Sequence, residues 1–228
     1  MVRMKKLVFF DIANTLVEDD KDISEYVSES IRNIYGRVVD VNLSKYMGQS
    51  AQNIAEAILN DDGMDRDEIE SKLLRYLEDL FYTYYNVAGH DREVLLNGAR
   101  ELLGSLWKDD VSIGILTGEV ERIARFRTEK VGIHGFFKIG AFGNDGRTPE
   151  DIVDVAINRG NSEYKVDKHE MLVVTNSPYF IKAAKRKELS VVGVANRRYS
   201  IGELRISGAD VVVSSVKERK RILEYVTK

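Results

Sequence analysis

The sequence predicts an α/β fold: a doubly wound parallel sheet, interrupted once by an all-helical insert. Three observations predict it. Short apolar runs recur along the chain, and the later ones alternate with helix-length segments, the rhythm of strands joined by crossover helices. The first run, Leu7–Phe10, is continuously apolar and ends at Asp11, as a strand buried on both faces would read. Residues 18–95 contain no convincing strand and carry helical spacing throughout.

Taken in order, the expected strands are Leu7–Phe10, Val111–Leu116, Phe136–Ile139, Met171–Val174, Val191–Val194 and Val211–Val213. The first, second and fourth should lie side by side at the centre of the sheet. Gly98–Trp107 places Ala99, Leu102, Leu103 and Leu106 on one helical face. Glu119–Val131 and Glu150–Asn158 behave similarly. In the insert, Ile23–Tyr35, Ala51–Asn60 and Asp67–Tyr85 read as helices, and Asn60–Gly63 as a turn. Leu73, Leu77, Leu80, Phe81 and Tyr84 form the apolar stripe of the last helix. Tyr82, Tyr84 and Tyr85 are expected to pack in the core of that block. The division is a core of residues 1–17 and 96–228 and a helical cap (lid) of residues 18–95.

Composition narrows the function. The chain has 228 residues, 43% hydrophobic, with 34 basic and 37 acidic side chains and a formal net charge of −3. The charges are mixed, so nothing marks a nucleic-acid surface. The densest basic group, Lys182, Lys185, Arg186 and Lys187, reads as a solvated helix face. There is no cysteine, which excludes disulfides, thiolate metal sites and cysteine nucleophiles. His90, His134 and His169 lack metal-ligand spacing. No stretch approaches the ~18 apolar residues of a membrane span. The apolar start ends in a carboxylate, unlike a signal peptide. The expectation is a soluble cytoplasmic protein.

Four polar groups fall at strand ends, where open α/β sheets bind ligands. They are Asp11 in DIANTL, Thr117 in ILTGE, Arg147 in GNDGRTPEDIV before a helix opened by Pro149, and Asn176 in VVTNSPYF. In that order, with a helical insert between the first two, they resemble the haloacid dehalogenase-like (HAD) hydrolase superfamily. The stretch from Leu116 to Ile157 looks most like its phosphoglycolate-phosphatase branch. The resemblance implies a Rossmann-like core and a cap that selects the substrate.

It also implies a mechanism. The first motif of the family, Asp-x-Asp-Gly-Thr-Leu, supplies a nucleophile that forms an aspartyl-phosphate and a second Asp as general acid and base. Asp11 matches the nucleophile. Thr117, with the amide of Gly118, matches the phosphate-holding position. Arg147 matches the basic position, usually Lys, and Arg keeps its charge with a two-point grip. Asn14 replaces the turn glycine, lies against the bound substrate, and tolerates a left-handed backbone.

The departures from the pattern are as informative. Ala13 stands where the acid/base Asp would be, Asn176 and Phe180 replace the two carboxylates of the fourth motif, and Glu119 adds negative charge near the phosphate position. Mg²⁺ would be held weakly, by the Asp11 carboxylate, the Ala13 carbonyl and the Asn176 amide oxygen, whereas Mg²⁺ favours carboxylates and phosphate. Losing a general acid costs ~10²–10⁴ in rate. Without metal, Arg147 alone would offset Asp11, Glu119 and a phosphate dianion. The resemblance therefore implies a phosphatase-type hydrolase of a small phosphorylated metabolite, with weak or altered activity. Its alternatives are a catalytically inactive binding or regulatory relative and a metal-independent dehalogenase-type hydrolase. The dehalogenase reading is opposed by Phe180 and by Thr117–Gly118 in place of Ser-Asn. A phosphonoacetaldehyde-hydrolase reading, prompted by Ala13, would need a cap lysine, with Lys45 the candidate by location.

Overall fold

The computed structural model describes residues 6–18, 24–46, 48–88 and 93–227. His90 and the junctions 19–23 and 89–92, where core and cap would meet, lie outside the described residues. The sheet is six-stranded and wholly parallel, in the order β3-β2-β1-β4-β5-β6. Its strands are β1 (Leu7–Phe10), β2 (Ser112–Leu116), β3 (Ile139–Ala141), β4 (Met171–Thr175), β5 (Ser190–Val194) and β6 (Val211–Val213). β1 lies between β2 and β4, with Phe10 opposite both Ile115 and Val174. All four residues of β1 are buried, because helices cover both faces. On one face pack α4 (Ala99–Lys108), α5 (Glu121–Lys130) and α9 (Arg219–Val226). On the other pack α6 (Pro149–Tyr164), α7 (Pro178–Arg186) and α8 (Ile201–Ile206).

Among the described residues, the segment between β1 and α4 is helical: α1 (Ser24–Tyr35), a 3₁₀ turn at Leu43–Tyr46, α2 (Ala51–Asp61) and α3 (Arg66–Ala88). It has an apolar cluster of its own, built on Ile31, Leu59, Ile69 and Tyr76, which Val120 and Ile123 of the core complete. The cap therefore sits on the start of α5. Backbone contact fixes it there: Ala51 N–H donates to Gly118 O at 3.1 Å, and Ser50 Oγ donates to Arg147 O at 2.8 Å. Gly48, at φ +76°, lies so close to the Tyr179 ring that a Cβ would stand 1.9 Å from it.

Several expected elements move. The strand expected at Phe136–Ile139 begins at Ile139, since His134–Phe136 forms a 3₁₀ turn and Phe137 N–H bonds back to His134 O at 3.1 Å. The helix expected from Glu119 begins at Glu121, which leaves Glu119 in the loop. α6 runs to Tyr164, well past Asn158. Its Gly160 has low helix propensity but packs against Leu7 and Met171 with no room for a side chain, so tertiary contact prevails. Of the three tyrosines, only Tyr84 is in the core; Tyr82 and Tyr85 are exposed. The basic group on α7 is a paired surface: Lys185 with Asp210, Arg186 with Glu150, Lys187 with Asp154.

Candidate active site

The site begins where β1 stops. Asp11 N–H still donates to Val174 O at 2.9 Å, so the ladder holds its backbone. The chain then turns sharply, with the amides of Thr15, Leu16 and Val17 all directed at Ile12 O. Asn14 adopts φ +54°, the left-handed conformation expected of it. The Asp11 carboxylate is buried. One oxygen accepts Ile12 N–H at 2.9 Å and the other accepts the Thr175 hydroxyl at 2.7 Å. Burial pushes its pKa up to about 7; the Thr175 hydroxyl opposes this, and the nearby Glu119 charge adds to it. Asp11 is thus about half ionised at neutral pH.

Asp11, Ala13, Asn14, Thr117, Gly118 and Asn176 line one cavity between the sheet edge and the cap, of about 220 Å³. The structure therefore brings together three of the four strand-end groups. Arg147 is the exception and a correction. It is not among the lining residues, and its guanidinium donates to Glu56 at 2.8 Å and to Glu70 at 3.1 Å, both in the cap. Two carboxylates outside the cavity hold it there. Lys45 is exposed and also absent from the lining.

Glu119 lines the same cavity and brings its negative charge near Asp11. The Arg127 guanidinium donates to Glu119 directly, and also to Glu93 at 3.3 Å and to the Glu18 carbonyl at 3.1 Å. Glu93 in turn accepts the Tyr84 hydroxyl at 2.6 Å. Arg127 is buried and pairs with Glu119, while the Glu119 charge still raises the Asp11 pKa. Nothing in composition marks Arg127. The available signal is helical spacing: Ile123, Ala124, Arg127 and Thr128 form the buried face of α5, and an arginine on such a face needs anionic partners. Arg198, with Asn196 and Tyr199, lines the cavity from the loop after β5. The strand-end rule that picks out Asp11 would have found it.

The donor set does not suit Mg²⁺. Asp11 is the sole carboxylate among its three expected ligands, and it already accepts two hydrogen bonds. The Asn176 side-chain nitrogen donates to the Ala13 carbonyl at 2.5 Å, so that carbonyl, one of the expected ligands, already has a partner. Phe180 is buried against the core where a further carboxylate would stand. No group of three or more His, Cys, Asp or Glu side chains suited to a metal occurs among the described residues. No helix of the described residues is long and apolar enough to cross a membrane.

The family model for haloacid dehalogenase-like hydrolases matches residues 8–194. The chain is 25% identical over 223 residues to a phosphoglycolate phosphatase of Vibrio parahaemolyticus, covering 97% of this chain and 96% of the relative. It is 23% identical over 215 residues to that of Vibrio vulnificus, covering 93% of each. A hydrolase from Pseudomonas syringae superposes with a TM-score of 0.72 at 20% identity, over 98% of this chain and all of the other.

Proposed function

The chain belongs to the haloacid dehalogenase-like hydrolase family, and we propose that it hydrolyses a small phosphorylated metabolite slowly, with Asp11 as the nucleophile. One observation carries this reading. A buried carboxylate at the end of the central strand lines a cavity between sheet edge and cap, and accepts hydrogen bonds from a hydroxyl and an amide. In the ionised form, an Asp11 oxygen attacks phosphorus while the bond to the leaving oxygen breaks, giving an aspartyl-phosphate and an alkoxide that takes its proton from water. Water then cleaves that intermediate, releasing inorganic phosphate and regenerating the Asp11 carboxylate. Under this reading Thr117, the Gly118 amide and Asn14 hold the phosphoryl oxygens; all three line the cavity, as does the cation Arg198.

Slowness follows from what the residues lack. Ala13 cannot protonate the leaving oxygen, a loss of ~10²–10⁴ in rate. Mg²⁺, where the family binds it, neutralises phosphate charge; the donor set here is poorly suited to holding it. A second reading, a binding protein without turnover, is favoured by the Asn176–Ala13 bond, which engages a carbonyl that a metal would use.

A panel of phosphomonoesters, assayed for phosphate release with Mg²⁺ and with EDTA, tests both. The expected result is slow release that falls to background in Asp11→Asn and rises with pH through about 7. Rapid Mg²⁺-dependent turnover would overturn the reading of a weakened site. Tight phosphonate binding with no Asp11-dependent release would favour the binding protein.

A further inference from the structure

A second cavity opens on the same sheet edge. It has a volume of about 590 Å³ and lies beyond the ends of β5 and β6, where parallel sheets bind ligands. The loops after these two strands are tied together, since Ala195 N–H donates to Val213 O at 2.9 Å. Gly98, at φ +93°, packs on the second loop, and a Cβ there would stand 2.9 Å from the Lys217 backbone. Asn14, Asn196 and Arg198 line both cavities, so the two share a wall.

The charge differs across that wall. Among its described lining residues the first cavity sets Asp11 and Glu119 against Arg198. The second has Arg197, Arg198 and Lys217, with Glu18 the sole carboxylate among the described lining residues. All three cations are exposed, so they can meet a ligand. Glu218 follows Lys217 but does not line the cavity; its carboxylate accepts Ser214 N–H at 2.7 Å and the Ser214 hydroxyl at 2.6 Å. On α7, Lys185, Arg186 and Lys187 each have a carboxylate partner. Arg197 and Lys217 have none among the described residues.

The polar groups beside these cations have donors left to offer. Asn196 Oδ1 already accepts the amides of Arg198 and Tyr199, each at 2.8 Å, which leaves its N–H groups for a ligand. The Ser215 hydroxyl accepts Lys217 N–H at 3.0 Å and keeps its own hydrogen for another acceptor. Cations and donors together call for an anion with several acceptor oxygens. A phosphoryl group offers three such oxygens and nearly two negative charges at neutral pH, and arginine grips it at two points. A single carboxylate would leave most of these donors unused.

We propose that the second cavity is an anion-binding site that takes a phosphoryl dianion. The site does not depend on the chemistry assigned to Asp11. Two sources share its ligand chemistry. One is a second phosphate, on a ligand whose first phosphate lies beside Asp11 and whose body passes Arg198. The other is a separate phosphate ion.

Isothermal titration of the full chain at low ionic strength tests the site and its source. The probes are inorganic phosphate, propylphosphonate and α,ω-alkylene bisphosphonates of two to six carbons. Phosphate should bind the parent protein. Arg197→Met with Lys217→Met should weaken it at least tenfold, the scale of one lost charge-assisted hydrogen bond. Lys108→Met with Lys182→Met removes the same charge from exposed positions outside both cavities and should change it less than twofold. No phosphate binding by a cooperatively melting parent would overturn the site. So would binding that the first pair of variants leaves unchanged, the mark of a phosphate seated beside Asp11 only. An equal loss in the charge-matched pair would also overturn it, as the mark of a diffuse field. The bisphosphonates then identify the source. If the substrate carries both phosphates, one chain length binds at least tenfold more tightly than propylphosphonate, and Arg197→Met with Lys217→Met abolishes the gain. If the ligand is a separate ion, no length gains more than about twofold while phosphate binding keeps its sensitivity to those variants. Both results support the site. A protein without Asp11-dependent phosphate release would lose the phosphohydrolase reading and leave these binding outcomes as they stand.

Discussion

The sheet-edge corner and the cap–core seam make opposite use of charge. At the corner, where the family pattern would place four carboxylates, Asp11 remains and is itself only half ionised near neutrality. Ala13, Asn176 and Phe180 are neutral; the first two are hydrogen-bonded to each other, and the third packs in the core. Along the seam, by contrast, Arg127 is buried among Glu119, Glu93 and the Glu18 carbonyl, and Arg147 reaches out of the core to Glu56 and Glu70. The difference teaches that the cations here serve to hold the cap rather than to receive a phosphate. A corner poor in charge also suits a less highly charged ligand than a corner built around a metal.

The largest effect should come from the seam. Arg127→Met leaves the buried Glu93 and the partly buried Glu119 without their shared counter-charge. Breaking a buried pair this way typically costs ~3–5 kcal/mol, and urea denaturation at pH 7 should show a loss of that size. Replacing the whole group, as Arg127→Met with Glu93→Gln and Glu119→Gln, should recover most of it, since no charge is then left unmatched. A single variant with less than ~1 kcal/mol of loss would mean that the group is solvated, in the manner of a surface pair.

Asp11 comes next, and the sign is opposite. Its folded pKa, about 7, lies above the ordinary 3.8. The folded state therefore holds the proton more tightly than the unfolded one. Below about pH 4 both states are protonated and folding pays no penalty. As pH rises to about 7 the unfolded chain ionises first, and stability is lost until the folded carboxyl has ionised too. Asp11→Asn should remove that loss. At pH 8 it should be more stable than the parent by roughly 2–4 kcal/mol, an amount set by a shift of about this size, and by little at pH 4. Melting curves at the two pH values decide it; equal differences at both would mean an ordinary Asp11.

A comparable energy is at stake in restoring the corner. Ala13→Asp with Asn176→Asp should give at least ~10² in phosphomonoester turnover, in Mg²⁺ only, at the low end of a general-acid contribution. The two must be changed together, because groups that act as a unit do not add singly. In the structure Asn176→Asp alone sets a carboxylate against the Ala13 carbonyl, so that variant without Mg²⁺ should be less stable than the parent. No gain in the double variant would show that the corner has been rebuilt beyond these positions.

The parallel sheet and helical insert were legible because buried strands and amphipathic helices leave periods in the sequence. Asp11, Thr117 and Asn176 were legible because a parallel sheet brings its strand ends to one edge, and all three line one cavity. Arg147 satisfied the same rule and still went elsewhere. The rule places a backbone, while a long side chain goes to whichever anion is within reach, and Glu56 and Glu70 come from helices remote in sequence. The roles of Arg127 and of the Thr175 hydroxyl are not legible for a related reason. Each matters through a partner that only the tertiary fold supplies or withholds.

Arg147 also gives the smallest and sharpest test of the comparison. Its ion pairs are partly exposed, with 41% of its side chain accessible, and such pairs are worth ~0–1 kcal/mol. Arg147→Met should therefore lower stability by no more than about that amount. If Arg147 is a strut of the seam, the variant should leave the affinity for a phosphonate such as 4-ethylbenzylphosphonate within about twofold. Arg198→Met should weaken it more, by the ~1.5–3 kcal/mol of a charge-assisted contact. A further pair of variants sharpens the point. Glu56→Gln with Glu70→Gln takes away both anions that hold the guanidinium, and leaves it able to turn toward the cavity. Under the strut reading this double variant binds the phosphonate as the parent does. A gain of tenfold or more, abolished by adding Arg147→Met, would mean that the seam and the phosphate compete for one cation. The contrast between corner and seam would then describe one state of the cap rather than a fixed division of charge.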